Sequence, residues 1–557
     1  MRPNPLARSS LRALAWCAVL AGLLPALVGA AASSAPGRYR LPSTGVVASG
    51  QALFLAIDDQ LLPLRENVVE HLSRPRVREQ PVLSPSREDP FAPDQVAAHF
   101  YGTVLHDAGK FRMWYYSVGL KDQSDADRAD LSKASIGPVC YAESDDGIVW
   151  HKPILNQKEY KGRRSNNAID LPGDSISGVH VIRDDADPDP LRRYKMAYNV
   201  HNGKTWVFRT ATSADGSRWT PAPDFAIGHF LETASLFRFN DQYFVHGQVL
   251  SRSEGDQPGG RQGAGVVSPD FVSWPGGVGW AFRLPEPIDP ALRGQTKPYD
   301  QVHLGVGAAS FGTVSVGLYG LWHNQPGDES SQKRWGWFGY GKISCDLGLV
   351  ISNDGMHFRE PVIGRPFLSR HDAPASPVPG KSFPTILCQS GNGILNVGDE
   401  TRIYFGRWLN ADYGEGYLGE VALATLPRDR WGYLAVQTAP SHGGATSSRG
   451  SVWSAAITLP DRPSELVLNA ESTGGLSVEV ADERFALLPG FSGTAKGSVR
   501  GAAGLDCPVE WAGASLASLA GRTVRFRIHL ENNAEYAPKL YALVVRDVAP
   551  RAAVAAR

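Results

Sequence analysis

The sequence is poor in sulfur and has no excess of charge of either sign. Five cysteines and four methionines are spread over 557 residues. No Cys-x-x-Cys pair and no metal-finger spacing occurs, so two interpretations of the four cysteines beyond residue 34 stay open. They are buried free thiols, or they form disulfides in an oxidising compartment. They are Cys140, Cys345, Cys388 and Cys507.

Other absences exclude whole classes of function. Lysine plus arginine equals aspartate plus glutamate, at 56 each, so the composition indicates neither a nucleic-acid partner nor an anionic membrane. No Gly-rich phosphate loop joins a strand to a helix, and no Gly-x-Ser-x-Gly elbow occurs, which argues against nucleotide-dependent enzymes and serine hydrolases. We therefore predict no cofactor and no metal site.

The N-terminal residues have the pattern of an export signal. Three arginines precede an apolar stretch at residues 13–28, and small residues follow at 29–34. We expect a signal peptide over residues 1–31, cleavage, and a secreted or periplasmic protein, with an uncleaved anchor as the alternative. No later apolar run is long enough to span a bilayer, so no membrane partner is expected after cleavage.

One phrase, Ser-x-Asp-Gly-x-x-Trp, recurs at intervals of 55 to 84 residues. Its copies begin at Ser144, Ser213, Ser268 and Ser352, and the third has Phe271 in place of the glycine. Such a period indicates a repeated supersecondary unit. The Asp-Gly pair predicts a turn, because glycine adopts a positive φ at no steric cost. We therefore assign these aspartates, and the aromatic residue that ends each copy, to structure.

The strands around each copy form a four-stranded antiparallel meander. The first meander runs over residues 99–106, 110–117, 139–144 and 149–155, and the same order returns in three further units and begins a fifth. One unit of this size cannot bury both faces alone, so we predict an all-β chain with a five-bladed β-propeller over residues 50–435. A series of sandwiches is the competing arrangement. A strand at residues 53–57 is expected to close the fifth unit, and residues 123–133 are a weak helix candidate.

The composition and the repeat pattern of the sequence change after Trp431. Residues 436–450 are rich in Ser, Gly and Thr and predict a linker. Alternating strands without the repeated phrase then run over residues 451–547, which favours a C-terminal β-sandwich.

These units resemble the five-bladed propeller glycoside hydrolases, the invertase-like and arabinanase/xylosidase-like families (families 32 and 43). The propeller followed by a sandwich is similar to the invertase arrangement. Phrases beginning at residues 53, 101, 111 and 187 resemble an uncharacterised secreted bacterial group of the same superfamily. The resemblance spans residues 50–547 and implies carbohydrate chemistry. The invertase motifs Asn-Asp-Pro-Asn, Arg-Asp-Pro and Glu-Cys are absent, so no catalytic triad transfers residue by residue.

Acids on the innermost strands are the candidate catalytic groups, because those strands line the funnel of a propeller and glycoside hydrolysis usually needs two carboxyl groups. Glu232 opens the third inner strand beside Phe230 and Leu231, where partial desolvation would raise its pKa. The resemblance also places the family 43 acid in this blade. Asp300 and Asp174 open the fourth and second inner strands and are candidates for the second carboxylate. The alternative for each is an exposed residue at a strand end.

Histidines, aromatic residues and amides near the inner strands are candidates for sugar contacts, with a metal site as a minor alternative for the histidines. The predicted substrate-binding residues are Asp94, His99, Asn167, His180, His229, His303, Tyr319, Trp322, His323 and Trp408. Asn166, next to Asn167, is a further candidate of the same kind. We expect Asp58 and Asp59 to serve a turn, and the acidic run at residues 184–189 to be a solvated loop, with calcium as a minor option.

The sequence therefore predicts a secreted glycoside hydrolase that acts on an oligosaccharide or polysaccharide. A non-catalytic carbohydrate-binding or cell-surface propeller is the rival, and the missing triad motifs favour it. A phosphorylase or lyase on the same scaffold is a third possibility that the fold alone does not separate.

Overall fold

The structure is a computed structural model, and every element below belongs to the unit that begins at Gly37. It describes residues 35–120, 134–223, 227, 230–251, 260–284, 300–324, 343–372, 385–409, 418–437 and 448–548. The predicted all-β class is confirmed, since these residues contain strands and short 3-10 turns and no α-helix. No helix among them is long and apolar enough to cross a membrane. The 3-10 turns are Pro190–Arg192, Arg370–Asp372, Gly391–Gly393, Thr473–Gly475, Gly493–Ala495 and Leu516–Leu519.

The strands follow in chain order. Those before the repeated region are β1 (Arg38–Leu41), β2 (Val46–Ser49), β3 (Gln51–Leu55), β4 (Leu64–Glu66), β5 (Val68–Leu72) and β6 (Arg76–Val77). The first repeated strands are β7 (Ala97–Asp107), β8 (Lys110–Leu120), β9 (Ala134–Ser144), β10 (Ile176–Arg183), β11 (Tyr194–His201), β12 (Trp206–Ser213), β13 (Thr220–Pro221), β14 (Glu232–Phe239), β15 (Gln242–Ser251), β16 (Gly260–Ser268) and β17 (Gly279–Phe282). The later ones are β18 (Asp300–Ser310), β19 (Ser315–Asn324), β20 (Ile343–Ser352), β21 (Pro366–Leu368), β22 (Ile386–Cys388), β23 (Ile394–Val397), β24 (Glu400–Leu409) and β25 (Leu418–Pro427). The C-terminal strands are β26 (Gly432–Val436), β27 (Arg449–Trp453), β28 (Ile457–Thr458), β29 (Ser464–Glu471), β30 (Leu476–Asp482), β31 (Gly497–Val499), β32 (Ala503–Glu510), β33 (Thr523–Glu531) and β34 (Lys539–Asp547).

The repeated strands pair antiparallel in sequence order, and we group them as unit 1 (β7–β9), unit 2 (β10–β13), unit 3 (β14–β17), unit 4 (β18–β21) and unit 5 (β22–β25). Units 2 and 3 are separate four-stranded sheets. Units 4, 5 and 1 join into one sheet through two parallel contacts, which set Cys345 beside Ile386 and Gly419 beside Ala97. The fifth unit therefore meets the first.

The expectation that residues 53–57 close unit 5 is wrong. Strand β3 pairs instead with β34 of the C-terminal region, with Gln51 opposite Arg546, and unit 5 is extended by β6. The reason is burial, because Leu53 and Leu55 pack in a core with strands of units 4 and 5 and of the C-terminal region. Asp58 serves the following turn as expected, since its Oδ1 accepts hydrogen bonds from the backbone N–H groups of residues 60 and 61.

The C-terminal strands form one curled sheet together with β1–β5. Its main path runs β2-β1-β28-β33-β30-β31-β32-β29-β34-β26-β5. Residues 38–72 therefore share a sheet with strands that lie more than 350 residues later in the chain.

Two further expectations are settled by burial. Cys140, Cys345, Cys388 and Cys507 are all buried free thiols. The acidic run is not a simple solvated loop, because the buried amine of Lys195 lies 3.1 Å from Asp184 Oδ2 and 2.7 Å from Asp187 Oδ2. The hydroxyl of Tyr243 also donates to Asp184. Lys195, Arg192 and Arg238 together neutralise Asp184 and Asp187, while Asp185 and Asp189 remain exposed.

The repeated phrase folds into the same turn in all four copies. In the first, Ser144 Oγ accepts from the Gly147 N–H at 2.8 Å, and Asp146 Oδ1 accepts from the N–H groups of residues 148 and 149 at 2.8 and 2.9 Å. The other three copies repeat these bonds. The fourth residue of each turn has a positive φ, including Phe271 at 60°. The aspartates are therefore structural, as predicted.

Each of these turns is bound by the preceding unit. Side chains of unit 5 donate to the first turn, those of unit 1 to the second, unit 2 to the third and unit 3 to the fourth. The bonds are Arg402 to Asp146 O, Tyr404 to Gly147 O, Arg112 to Asp215 O, Trp114 to Gly216 O, Arg192 to Asp270 O and His246 to Gly355 O. The repeat therefore connects neighbouring units as well as strands within a unit.

The first strand of every unit is interrupted at a comparable position. The pairing register breaks between His99 and Thr103 in β7, Ser177 and Val179 in β10, Thr233 and Ser235 in β14, and His303 and Val306 in β18. In unit 5 the interruption is longer, since residues 389–393 separate β22 from β23 and both strands pair with β24. Bulges of this kind free backbone groups from the ladder, and those groups need other partners.

Residues 389–393, which we call the central segment, supply many of these partners. Gln389 Nε2 donates to His303 O and Gly305 O of unit 4, at 2.6 and 2.9 Å. Ser390 donates to Gly102 O of unit 1. The Asn392 amide donates to the carbonyls of residues 181 and 236, in units 2 and 3, and accepts from the N–H of residue 236 at 2.8 Å. One short segment thus binds the first strands of the other four units.

The central segment is packed too closely to accept larger residues. A Cβ on Gly391 would lie 2.1 Å from Ala308 O, and one on Gly393 would lie 2.4 Å from Tyr404 O. Both neighbours are backbone atoms, which cannot move aside as a flexible side chain does.

We predict that Gly391→Ala destabilises the protein, because the methyl group must displace the backbone of β18. A cost of about 1–3 kcal/mol is typical of overpacking in a filled core. Gly276→Ala is the matched control, since a Cβ there meets nothing within 4 Å. Urea unfolding of both variants checks this, and equal midpoints for the two would contradict the packing described for the central segment.

Candidate functional site

Aromatic rings from units 1, 4 and 5 meet near Glu232, whose charge acts on Tyr101. The ring centroids of Tyr101, His303 and Trp408 lie 5.6 to 6.2 Å from one another. Two more rings extend the group, because His99 stacks on Trp408 at 4.6 Å and Trp322 lies 4.3 Å from His303. We call these residues, together with Tyr116, the aromatic cluster. It brings together four of the predicted substrate-binding residues, His99, His303, Trp322 and Trp408.

The interruptions of the first strands aim two of these rings. Tyr101 lies in the unpaired stretch of β7, and His303 directly precedes the unpaired stretch of β18. Leu304 has a φ of 57° and Gly305 one of 70°. A left-handed leucine is strained, and such strain is concentrated at functional sites.

Three polar atoms of the cluster are buried and unpaired. Within the described part of the chain, the Tyr101 hydroxyl, His303 Nδ1 and Trp408 Nε1 have no hydrogen-bond partner. Leaving a buried polar group unsatisfied costs about 1–3 kcal/mol. Polar atoms held in this state by a rigid scaffold suit a ligand that supplies the missing donors and acceptors. Sequence reasoning missed Tyr101 because it searched the inner strands for acids.

Glu232 borders this cluster as a half-buried carboxyl group. Burial raises its pKa, and the positive charge of Arg261 opposes the shift. Gln248 Nε2 donates to Glu232 Oε2 at 2.6 Å. The pKa of Tyr101 is raised well above its usual value, first by burial, then by the neighbouring Cys388 thiol and Tyr116 hydroxyl, and least by Glu232. A carboxyl group in such surroundings holds its proton at a higher pH than a solvated glutamate.

The edge of the cluster is less buried than its centre. Trp408, Arg261 and Glu232 are all half-buried. The Arg261 guanidinium lies over the Trp322 ring, 4.7 Å from its centroid. A ligand approaching from this edge would meet a carboxyl group, a guanidinium and an indole face.

The described histidines predicted to bind sugar are neutral. Burial lowers the pKa of His99 to about 3 and that of His180 to about 4, and it lowers the pKa of His303 well below its usual value. His99 Nδ1 lies 2.7 Å from the Tyr116 hydroxyl. Neither ring nitrogen of His180 makes a hydrogen bond of ordinary geometry among the described residues, although the Thr233 backbone and the Asn392 side chain oppose the effect of burial on its pKa. His229 lies outside the described residues.

The second candidate carboxylate opens β18. Asp300 is opposite His323 in the β18–β19 pair, three residues before His303. Only the backbone of Asp300 and His323 is described, so the prediction that they contact substrate remains a prediction.

The other predicted residues lie in different surroundings. Asp174 is almost fully exposed and pairs with Lys158 at 3.4 Å. Tyr319 is buried, donates to Glu360 Oε1 at 2.5 Å and packs on the ring of Phe282.

Asp94 and Asn167 are joined through one tyrosine. Its hydroxyl, on Tyr115, donates to Asp94 Oδ2 at 2.8 Å and accepts from Asn167 Nδ2 at 2.9 Å. Lys152 Nζ donates to the same Asp94 oxygen at 2.6 Å. These bonds hold β8 against the segments that flank unit 1. Asn166, the neighbour of Asn167, bonds to the carbonyls of residues 158 and 163.

Metal chemistry has no visible site in the described residues. They contain no group of three or more histidine, cysteine, aspartate or glutamate side chains placed to hold an ion.

Comparisons with known proteins give distant matches. No protein-family model and no curated protein matches the chain. A glycosyl hydrolase from Bacteroides ovatus is 18% identical, over 65% of this chain and 95% of that one, with a TM-score of 0.39. A family 43 arabinoxylan arabinofuranohydrolase from Bacillus subtilis is 13% identical, over 84% and 99%, at 0.37. An N-acetylgalactosamine deacetylase from F. plautii is 11% identical, over 64% and 96%, at 0.38. At such identities and TM-scores, these likenesses assign neither a family nor a reaction.

We predict opposite effects for two tyrosine-to-phenylalanine changes. Tyr101→Phe removes an unpaired hydroxyl and should raise stability by about 1 kcal/mol, while Tyr115→Phe removes a paired one and should lower it by a similar amount. Urea unfolding of both variants measures these effects. A destabilised Tyr101→Phe would show that its hydroxyl has a partner in the free protein.

Proposed function

We propose that the protein is a glycoside hydrolase whose active site lies at the aromatic cluster, with Glu232 as the general acid. The observation that carries the proposal is the position of Glu232, a half-buried carboxyl group of raised pKa beside three buried polar atoms that have no partner among the described residues. Sugars offer hydroxyl groups for such atoms and apolar C–H faces for the rings around them.

Hydrolysis would divide the work between two carboxyl groups. Glu232 would protonate the leaving oxygen, and Asp300 would act on the anomeric carbon or on the water that attacks it. Tyr101, neutral because burial raises its pKa, would donate a hydrogen bond, and Trp408 would cover one face of the sugar. Neutral His303 could accept or donate at Nδ1.

A second candidate function is carbohydrate binding without catalysis. The observation in its favour is that the described side chains bring a single carboxyl group, Glu232, to the cluster. Hydrolysis by the paired mechanism depends on Asp300, whose side chain is not described. The two functions therefore predict different results for substitution of Asp300, which should abolish hydrolysis in an enzyme and has no turnover to affect in a binding protein.

The scaffold and the location belong to the same proposal. We propose that units 1 to 5 are the blades of a five-bladed propeller. We also propose that residues 451–547 form a C-terminal sandwich, to which β1–β5 and β26 belong because they pair in the same curled sheet. The ring of turn-to-unit bonds, running from unit 5 to unit 1 and on to unit 4, supports the propeller. We also propose that the chain is exported and loses residues 1–31. An N-terminus at Met1 on the exported protein would contradict that cleavage.

We predict that Glu232→Gln lowers the release of reducing sugar by 100-fold or more across a panel of plant and algal glycans, because general acid catalysis typically contributes about 10²–10⁴-fold. Activity of the unaltered enzyme should fall as pH rises through the raised pKa of Glu232, since the acid must be protonated.

Two comparisons complete the test. Glu159→Gln is the control, because Glu159 is exposed and its ion pair with Arg164 is long, at 3.9 Å. Asp300→Asn should be as damaging as Glu232→Gln if the protein hydrolyses glycans. Full activity in Glu232→Gln would overturn the assignment of the acid. Binding without turnover in the unaltered protein would favour the second function.

A further inference from the structure

Gln248 connects the candidate acid to the neighbouring unit. It lies in β15, is 5% exposed, and uses both ends of its amide. Its Nε2 donates to Glu232 Oε2 at 2.6 Å, and its Oε1 accepts from the backbone N–H of Leu304 at 2.8 Å. The amide therefore spans the gap between unit 3, which carries Glu232, and the interrupted strand of unit 4.

The orientation of this amide is fixed by the backbone. An N–H group can only donate, so the Leu304 N–H must face the oxygen of the Gln248 amide, which turns the NH₂ group toward Glu232. Leu304 lies in the unpaired stretch of β18, so its N–H has left the strand ladder and needs this acceptor. The bulge thus orients the Gln248 amide, and the amide oxygen satisfies the N–H group that the bulge frees.

We infer that Gln248 is a positioning residue that keeps the proton of Glu232 on Oε1. An NH₂ group donating to Oε2 requires that oxygen to be an acceptor, so a protonated Glu232 carries its hydrogen on the other oxygen. Under the proposed function, Oε1 is then the atom that delivers the proton to the leaving group. The position of the proton does not depend on the proposed function, whereas its delivery to a leaving group does.

The charges around Glu232 determine in which direction its pKa changes when Gln248 is replaced. Arg261 on β16 favours the ionised carboxylate, while Tyr101 on β7, His303 on β18 and His180 on β10 are neutral because they are buried. The Gln248 NH₂ also favours the ionised form, because it donates to it. Removing this donor should therefore raise the pKa of Glu232, even though the carboxyl group stays in place.

The test is an infrared titration of the protonated carboxyl group in the whole protein. The band of Glu232 is identified as the one lost in Glu232→Gln. In Gln248→Met, which keeps the length of the side chain without the donor, we expect the midpoint to rise by about one to two pH units. A hydrogen bond to a charged group is worth about 1.5–3 kcal/mol, and 1.36 kcal/mol corresponds to one unit.

Two further variants separate this effect from loss of structure. Gln248→Glu keeps an acceptor for Leu304 and so preserves the contact with β18, yet it faces Glu232 with an acid and should also raise the midpoint. Ser235→Ala is the matched control, because Ser235 Oγ donates across the same pair of units to Val306 O at 3.2 Å and has no bond to Glu232. It should leave the titration unchanged.

The outcomes are distinct from those of the proposed function. An unchanged Glu232 midpoint in both Gln248→Met and Gln248→Glu would overturn the inference, whatever the activity. A raised midpoint in a protein that cleaves no glycan would keep the positioning role and reject the hydrolase. In an active enzyme, the alkaline limb of the pH profile should move upward with the infrared midpoint, whereas a purely structural role would lower kcat without moving it.

Discussion

The structure depends on hydrogen bonds to the buried backbone N–H and C=O groups that are freed where strands are interrupted. The first strand of each of the five units is interrupted, and the freed N–H and C=O groups are buried, where each unpaired group would cost about 1–3 kcal/mol. The central segment and polar side chains of neighbouring units pair with them. Most of the polar side chains named on these strands therefore hold one unit to the next. Few of them are left to contact a ligand.

The same interruptions build the candidate site. Leaving the ladder turns Tyr101 and His303 toward Trp408, and it leaves the Leu304 N–H to orient Gln248 against Glu232. Groups that stabilise the fold and groups proposed to bind a ligand therefore lie next to each other at these interruptions. Several backbone groups at the interruptions are paired, such as Gly102 O, Gly305 O and the Leu304 N–H, whereas three side-chain atoms of the cluster, among the described residues, are not. Buried unpaired atoms also occur elsewhere in the described residues, for example Trp431 Nε1, so the cluster differs in holding three of them close together.

The parts of the structure that depend on neighbouring residues could be predicted from the sequence, and those that depend on distant pairing could not. The Asp-Gly turns follow from the chemistry of four consecutive residues, and Glu232 follows from its place at the start of an inner strand. The partner of β3 was missed because an apolar run pairs equally well with any covered strand. Gln248 and Tyr101 carry no local signal, since their importance comes from bulges that only the folded chain displays.

The central claim is that a sugar satisfies the unpaired atoms of the aromatic cluster with its glycosidic oxygen beside Glu232. The most direct measurement is a crystal structure of Glu232→Gln with a bound oligosaccharide. The account predicts a sugar ring against Trp408, hydroxyl groups within hydrogen-bond distance of Tyr101 OH and His303 Nδ1, and the glycosidic oxygen within reach of residue 232. An ordered sugar bound elsewhere, with those atoms still unpaired, would contradict it.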